Sequence, residues 1–382
     1  MEFDTMKLAL KTSLIFGLAA AASSAFANVY PNLPVAIKQG GGALINDTVY
    51  VGLGSAGDKF YALNLKDAAK GWTEVASFPG GSLSQPVVAA VNGKIYVLGG
   101  VGTVNGLTTS TNDVYEYDPA KNTWTKLPTR APLGLVGASG FVYGDRIFVV
   151  GGTNLEIFNG FFKDNAAAKT DDEKSAVAAH YFDKRTQDYF FNTILFSYQP
   201  STNKWYNDGH VDFKGRAGAG VAIQGNEFIV VNGEIKPGLR TDKVNRGKIE
   251  ADGDVEWKEL KDLPPNPGEK VQDGVAGAYT GYIGKYLFVA GGANFPGAAQ
   301  AYKNGNLFAH KGLAKIYQKA AFIYHDGKWS YAGDLPVGSG YGVALSYGND
   351  LLLFGGETVD GKPLAEVYVV SYDPNTKKVS FK

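Results

Sequence analysis

The stretch VVAAVNGKIYVLGG (residues 87–100), continued by DVYEYDPAKNTWTKLP (residues 113–128), decides the fold. It holds three apolar runs of strand length and a fourth segment centred on Trp124. Asn92-Gly93 between the first two runs is a strong two-residue hairpin signal. The doublet Gly99-Gly100 lets the second strand end in a sharp turn at positive φ. The same unit recurs as VYVGLG (49–54), IFVVGG (147–152), FIVVNG (228–233), LFVAGG (287–292) and LLLFGG (351–356). All five tryptophans, Trp72, Trp124, Trp205, Trp257 and Trp329, fall at the same place in a repeat, and the sixth copy has Val379 there. Four are followed by Phe-Pro or Leu-Pro: Phe78-Pro79, Leu127-Pro128, Leu263-Pro264 and Leu335-Pro336. Repeats of several strands without helical periodicity build a β-propeller, and six copies mean six blades.

Doublet, Tyr-bearing strand and Trp together make these kelch-type repeats. The expected fold is all-β, a six-bladed kelch-type β-propeller with two loop or helical insertions on one face. Residues 28–382 form one domain, because a propeller spends such a length on a single closed unit. Residues 30–40 read like the link that follows a Trp strand, so the two ends of the ring should meet. The first insertion (155–192) interrupts blade three, which begins near Gly134, and the second (294–319) interrupts blade five. Each carries a helix-like piece, at 165–181 and 307–318. Insertions in repeat proteins gather on one face, commonly the binding face.

Composition narrows the partners. Lys plus Arg and Asp plus Glu both number 37, for zero net charge. There is no basic stripe for nucleic acid. Lys7 and Lys11 precede an apolar run from residue 14 to 22, and Ala25-Phe26-Ala27 fits a small-x-small cleavage site. Residues 1–27 are therefore expected to be a signal peptide. Residues 1–5 look like a cloning scar ahead of Met6. The run is too short for a membrane anchor. The mature chain, from Asn28, is expected in the periplasm. It has no cysteine, so stability rests on core burial and ring closure rather than disulfides. Monomer and homodimer stay open.

Both insertions are dense in aromatic and amide side chains, as FNGFFKDN (158–165), AHYFDKRTQDYFFN (179–192) and NFPGAAQAYKNGNLFAHKGLAKIYQ (294–318). Ring faces stack on the C–H surfaces of a sugar while polar tips bond its hydroxyls. The same residues would equally pin long loops to the propeller. Asn159, His180 and Tyr181 are the candidate pocket residues of the first insertion. The four histidines, His180, His210, His310 and His325, lack metal-ligand spacing, so no metal is expected, although His180 and His310 could meet at the mouth.

The sharpest local signal is NGEIKPGLRTD (232–242). It replaces a Gly-Gly turn and places Lys236, Arg240 and Asp242 just after Glu234. A carboxylate beside cations suits an acid/base group next to an anion clamp. A solvated charged loop accounts for it equally well, and the Gly-Gly-Glu turn at Glu357 shows that Glu is ordinary here. Nucleophile elbows are absent. The sequence Asp326-Gly327-Lys328-Trp329 lacks the repeated sialidase box. A galactose-oxidase cofactor would need cysteine.

Together, these segments resemble bacterial N-acetylneuraminate epimerases, the periplasmic sialate mutarotases, over residues 28–382. The resemblance implies conversion of the α-anomer of N-acetylneuraminate to the β-anomer, in support of sialic acid uptake and without a cofactor. It implies that Glu234 is the proton acceptor and that Arg240 meets the substrate carboxylate. Lys236 either assists electrostatically or is solvated. Some relatives carry a basic residue after the Phe-Pro-Gly-Gly of blade one, where this chain has Ser82-Leu83-Ser84. That role is then lost or displaced to Gln85. The group that pairs with Glu234 is unassigned. The alternatives are a propeller that binds sialate or another acidic sugar without turnover, and a kelch interaction protein.

Overall fold

In a computed structural model, which describes residues 29–133 and 136–382, the six repeats form six four-stranded antiparallel sheets. In blade two, Val87–Val91, Lys94–Leu98, Asp113–Asp118 and Thr123–Arg130 lie side by side in that order. Asn92 and Gly93 have φ of 51° and 75°, the pair of positive angles that a tight hairpin of this hand needs. The first strand of every blade lies innermost. Gly41–Ile45 touches Val87–Val91 on one side and Val343–Tyr347 on the other, which closes the ring. Glycine permits this approach: a Cβ on Gly140 would sit 2.3 Å from Val87, and one on Gly281 2.3 Å from Leu351.

Tryptophan ties blades to their predecessors in the ring. The indole N–H of Trp124 donates to Ala76 O at 2.8 Å, that of Trp329 to Lys261 O at 2.8 Å, and that of Trp72 to Pro31 O at 2.9 Å. Pro31 lies in residues 30–40, which do serve as the link between blade six and blade one. Ile37 N donates to Leu364 O at 2.8 Å and Gln39 N to Tyr341 O at 2.8 Å. Each blade is contiguous in sequence, so neither terminus lends a strand to the other's sheet.

The insertions depart from the expected helices. The first contains two, α1 (Leu155–Ala167) and α2 (Asp171–Phe182). Thr170 breaks the run because it starts α2, its side chain and that of Glu173 forming a capping box. The second has a short α3 (Ala298–Lys303), upstream of the expected 307–318. That segment, in contrast, turns at Gly312 (φ 77°) and then enters a strand, Ile316–Tyr317, paired with Ala293–Asn294. The expected signal peptide at residues 1–27, Asn28 and the start of blade three at Gly134 lie outside the described residues. Among the described residues no helix is long and apolar enough to cross a membrane.

Candidate functional site

Ahead of each innermost strand, one residue per blade turns with positive φ: Gln39 (54°), Gln85 (54°), Gly137 (67°), Gly218 (63°), Gly277 (70°) and Tyr341 (56°). Backbone bonds link them around the axis. Gln85 N donates to Gln39 O, Gln39 N to Tyr341 O, Tyr341 N to Gly277 O, Gly277 N to Gly218 O and Gly218 N to Gly137 O, all at 2.7–2.8 Å. Three blades meet this geometry with glycine. The other three hold a side chain in a conformation that costs an L-residue about 1–2 kcal/mol, and such strain concentrates at functional sites.

Glu234 rises from this ring. Its backbone forms a two-bond bridge with Ala217 (2.7 and 2.9 Å), and Gly233 before it turns at φ 101°. Pro237-Gly238, with Gly238 at φ 80°, then folds the chain back on itself, Pro and Gly being the residues such a turn favours. The resulting hairpin sets Glu234 opposite Arg240, and Arg240 Nη2 meets Glu234 Oε1 at 2.6 Å. Arg240 is 6 % exposed and lies 4.8 Å over the Phe295 ring. Its Nε and Nη1 are buried with no protein partner by strict geometry, although the Tyr341 hydroxyl lies within reach of the guanidinium. Burial opposes the Arg240 charge, and the neighbouring Glu234 and Tyr341 outweigh it. Burial also pushes the Tyr341 phenol up to about 12.

A second carboxylate occupies the equivalent place in blade six. Glu357 bridges Gly340 as Glu234 bridges Ala217, and only 3 % of it is exposed. Lys38 and Lys315 each approach it at 3.0 Å, the Tyr317 hydroxyl donates to it, and Gln39 Nε2 lies at 3.4 Å. Burial raises its pKa, and these donors reverse the shift and hold it below the usual carboxylate value. Lys315 Nζ stands 4.8 Å from the ring centres of both Tyr317 and Tyr341. Sequence reasoning took Glu357 for an ordinary residue of its turn and passed over Lys315, Tyr317 and Tyr341. The repeat register, which aligns Glu357 with Glu234 and Tyr341 with three glycines, was the available signal.

The two insertions meet over blade four. Phe182 stacks on Phe308 at 4.9 Å, and Thr186 N donates to the Tyr302 hydroxyl at 3.1 Å. Lys236 joins them, and here the sequence expectation is corrected, since the residue is neither solvated nor free for a ligand. It is fully buried, and its Nζ donates to Phe182 O, Lys184 O and Leu307 O at 2.8, 2.6 and 2.5 Å. All three N–H bonds are used on backbone, because the loops present inward carbonyls that need a cation.

His310 sits among Phe182, Phe295 and Phe308, each 4.9 Å away, against the Gly238 turn. Burial, then the charges of Arg240 and Lys236, push its pKa down to about 4. Tyr181 is buried against Phe161 (4.2 Å) and close enough to Glu234 for that charge to raise its pKa, though burial raises it more. His180, next in line on α2, is exposed in a cleft with Ile157, Phe161 and Asp164, so it does not meet His310. Asn159 spends its Oδ1 on Ser110 N (2.8 Å) and Ser110 Oγ (3.2 Å), clipping α1 to blade two. Gln85 stays on the ring of turns. No group of three or more metal-ligating side chains occurs among the described residues.

Residues 30–379 match the family model for N-acetylneuraminate epimerase. This chain belongs to the N-acetylneuraminate epimerase family. An N-acetylneuraminate epimerase of Haemophilus influenzae (strain PittEE) is 56 % identical over 371 residues, 96 % of this chain and 98 % of that protein. One from Pasteurella multocida (strain Pm70) is 52 % identical over 372 residues, 95 % and 97 % of the two chains. The solved structure of YjhT superposes with a TM-score of 0.88 at 42 % identity, covering 93 % of this chain and 99 % of that one. The epimerase family and the propeller expected from the sequence are both borne out.

Proposed function

We propose that this protein is an N-acetylneuraminate epimerase that interconverts the α- and β-anomers through the open-chain keto form. The observation that carries the reading is the Glu234–Arg240 pair at 2.6 Å, a carboxylate held beside a fixed cation in a chain of this family. Arg240 supplies the positive charge that meets the substrate carboxylate. Glu234 then takes the proton of the anomeric hydroxyl, whose electron pair forms the C2 carbonyl. The bond from C2 to the ring oxygen breaks, and its pair goes to that oxygen, which is protonated by water. Rotation about the C2–C3 bond presents the other carbonyl face. On ring closure the freed hydroxyl adds to C2 and gives its proton back to the hydroxide left by water, while the carbonyl electron pair takes the proton held by Glu234 and restores the anomeric hydroxyl. No cofactor enters this scheme.

Position-matched acid/base catalysis is worth about 10²–10⁴-fold. The test is proton NMR of freshly released α-anomer, with and without protein. Wild type should accelerate appearance of the β-anomer, and Glu234→Gln should stay folded and lose at least a hundredfold. Unchanged turnover in that variant would remove Glu234 from the mechanism. Line broadening without acceleration by wild type would mark a non-catalytic sialate binder. We further propose export through a signal peptide at residues 1–27 and action in the periplasm, supported by Lys7, Lys11, the apolar run and Ala25-Phe26-Ala27.

A further inference from the structure

Resting on the epimerase reading, we propose that Lys315 is a second carboxylate-binding cation, so that the site holds one anomer's carboxylate at Arg240 and the other's at Lys315. The chemistry creates the need. The carboxylate and the hydroxyl both hang on C2, and anomerisation exchanges which side of the ring each occupies. If the pyranose stays in place, its carboxylate must move to a new position. Arg240 cannot follow it. The guanidinium is 6 % exposed, paired to Glu234 at 2.6 Å and packed 4.8 Å over Phe295.

Lys315 has the features of the second clamp. Its side chain is 33 % exposed, and Glu357 takes only part of its hydrogen-bonding capacity, at 3.0 Å. An ammonium has three donors, so two are left for a ligand. The Tyr317 and Tyr341 rings, each 4.8 Å away, fix its direction. Lys38 and Lys315 against Glu357 leave one surplus positive charge, which suits an anion. Both Glu357 oxygens are committed to protein donors. Glu357 therefore acts as a positioning residue rather than a base.

The two clamps are neighbours because Tyr341 touches both. Its ring carries Lys315 on one side and its hydroxyl reaches Arg240 on the other. It spans from blade six towards blade four across Gly277 of blade five, where a Cβ would lie 2.4 Å from the Tyr341 ring. Its left-handed backbone (φ 56°) supplies the angle. Glu234 and Glu357 thus stand at corresponding positions of two blades, and each carries a cation, Arg240 from its own blade and Lys315 from the blade-five insertion.

The probes are the α- and β-methyl glycosides of N-acetylneuraminate, which cannot ring-open and so report each anomer separately. Binding is measured by NMR titration to wild type, Lys315→Met, Lys315→Arg and Arg240→Met. Lys315→Met should weaken one glycoside at least tenfold and the other less than threefold. Arg240→Met should reverse that preference, and Lys315→Arg should restore most of the loss. Because free-sugar chemistry sets the anomeric equilibrium, kcat/KM of Lys315→Met must fall equally in both directions while KM rises for one anomer only. If Lys315→Met does not fold, as judged by circular dichroism, Lys315→Gln, which keeps a donor for Glu357, carries the same comparison. Equal weakening of both glycosides, or no change in either, with wild-type catalysis intact, overturns the inference alone. A wild type with no effect on anomerisation overturns the epimerase reading, and the inference falls with it.

Discussion

Replacing Lys236 with Met should unfasten the roof over the site while leaving the propeller intact. The ammonium is the only side-chain cation joined to carbonyls of both insertions among the bonds described, with Phe182 and Lys184 on one side and Leu307 on the other. Methionine fills the space and leaves three carbonyls unpaired. A buried group left unpaired costs about 1–3 kcal/mol, and taking about 1.5 kcal/mol each for loops that relax gives about 4.5 kcal/mol. Burial that pushes Lys236 down to about 8 also means the ammonium is held at a cost, whose relief returns about 3 kcal/mol. The net loss is about 1 kcal/mol, or about a fivefold rise in the open population at ~1.4 kcal/mol per tenfold. Hydrogen-exchange mass spectrometry reads this directly. Amides in residues 181–189 and 304–311 should exchange about fivefold faster, and the blade strands should be unchanged. Unaltered exchange in those segments would refute the clip, and a uniform rise across all six blades would mean that Lys236 supports the whole fold instead.

Two further outcomes are expected. His310 has a folded-state pKa near 4, below its unfolded value, so on acidification the unfolded chain takes up the proton first. Stability should be full above pH 6.5 and fall towards pH 4 by about 1–2 kcal/mol, after discounting for partial exposure; urea unfolding should show this loss in wild type and not in His310→Phe. Gly277→Ala should add about 1–2 kcal/mol of backbone strain and displace Tyr341, whereas Gly93→Ala, with φ 75° and open space around its Cβ, should add strain alone. Equal activity in the two variants, measured by anomerisation rate at matched folded fraction, would show that Tyr341 has no part in the site.

The repeat is legible because its determinants are local. Gly doublets, Asn92-Gly93 and the Trp positions act within a few residues of the turns and strands they specify, and six copies force the same reading six times. The Glu234–Arg240 pair was legible only as a carboxylate close to cations in one short segment, for which a solvated loop served equally well. The structure shows that Pro237-Gly238 folds that segment so that the two face each other. Helix placement in the insertions was not legible, since Ala- and Lys-rich composition favours helix without saying where Thr170 caps one or where Ile316 joins a strand.

What the sequence by itself determined was the ring: the number of blades and the places of their turns and Trp-bearing segments, all products of short-range backbone preference. Tertiary structure alone decided which side chains converge. Successive helical residues point about 100° apart, so only the docking of α2 buries Tyr181 and leaves His180 outside. The same holds for Lys236, whose three acceptors lie 52 to 71 residues away, and for Glu357, gathered with Lys38, Lys315 and Tyr317 only when the ring closes. Charges read along a chain carry no sign of burial. Closure of the ring supplies it.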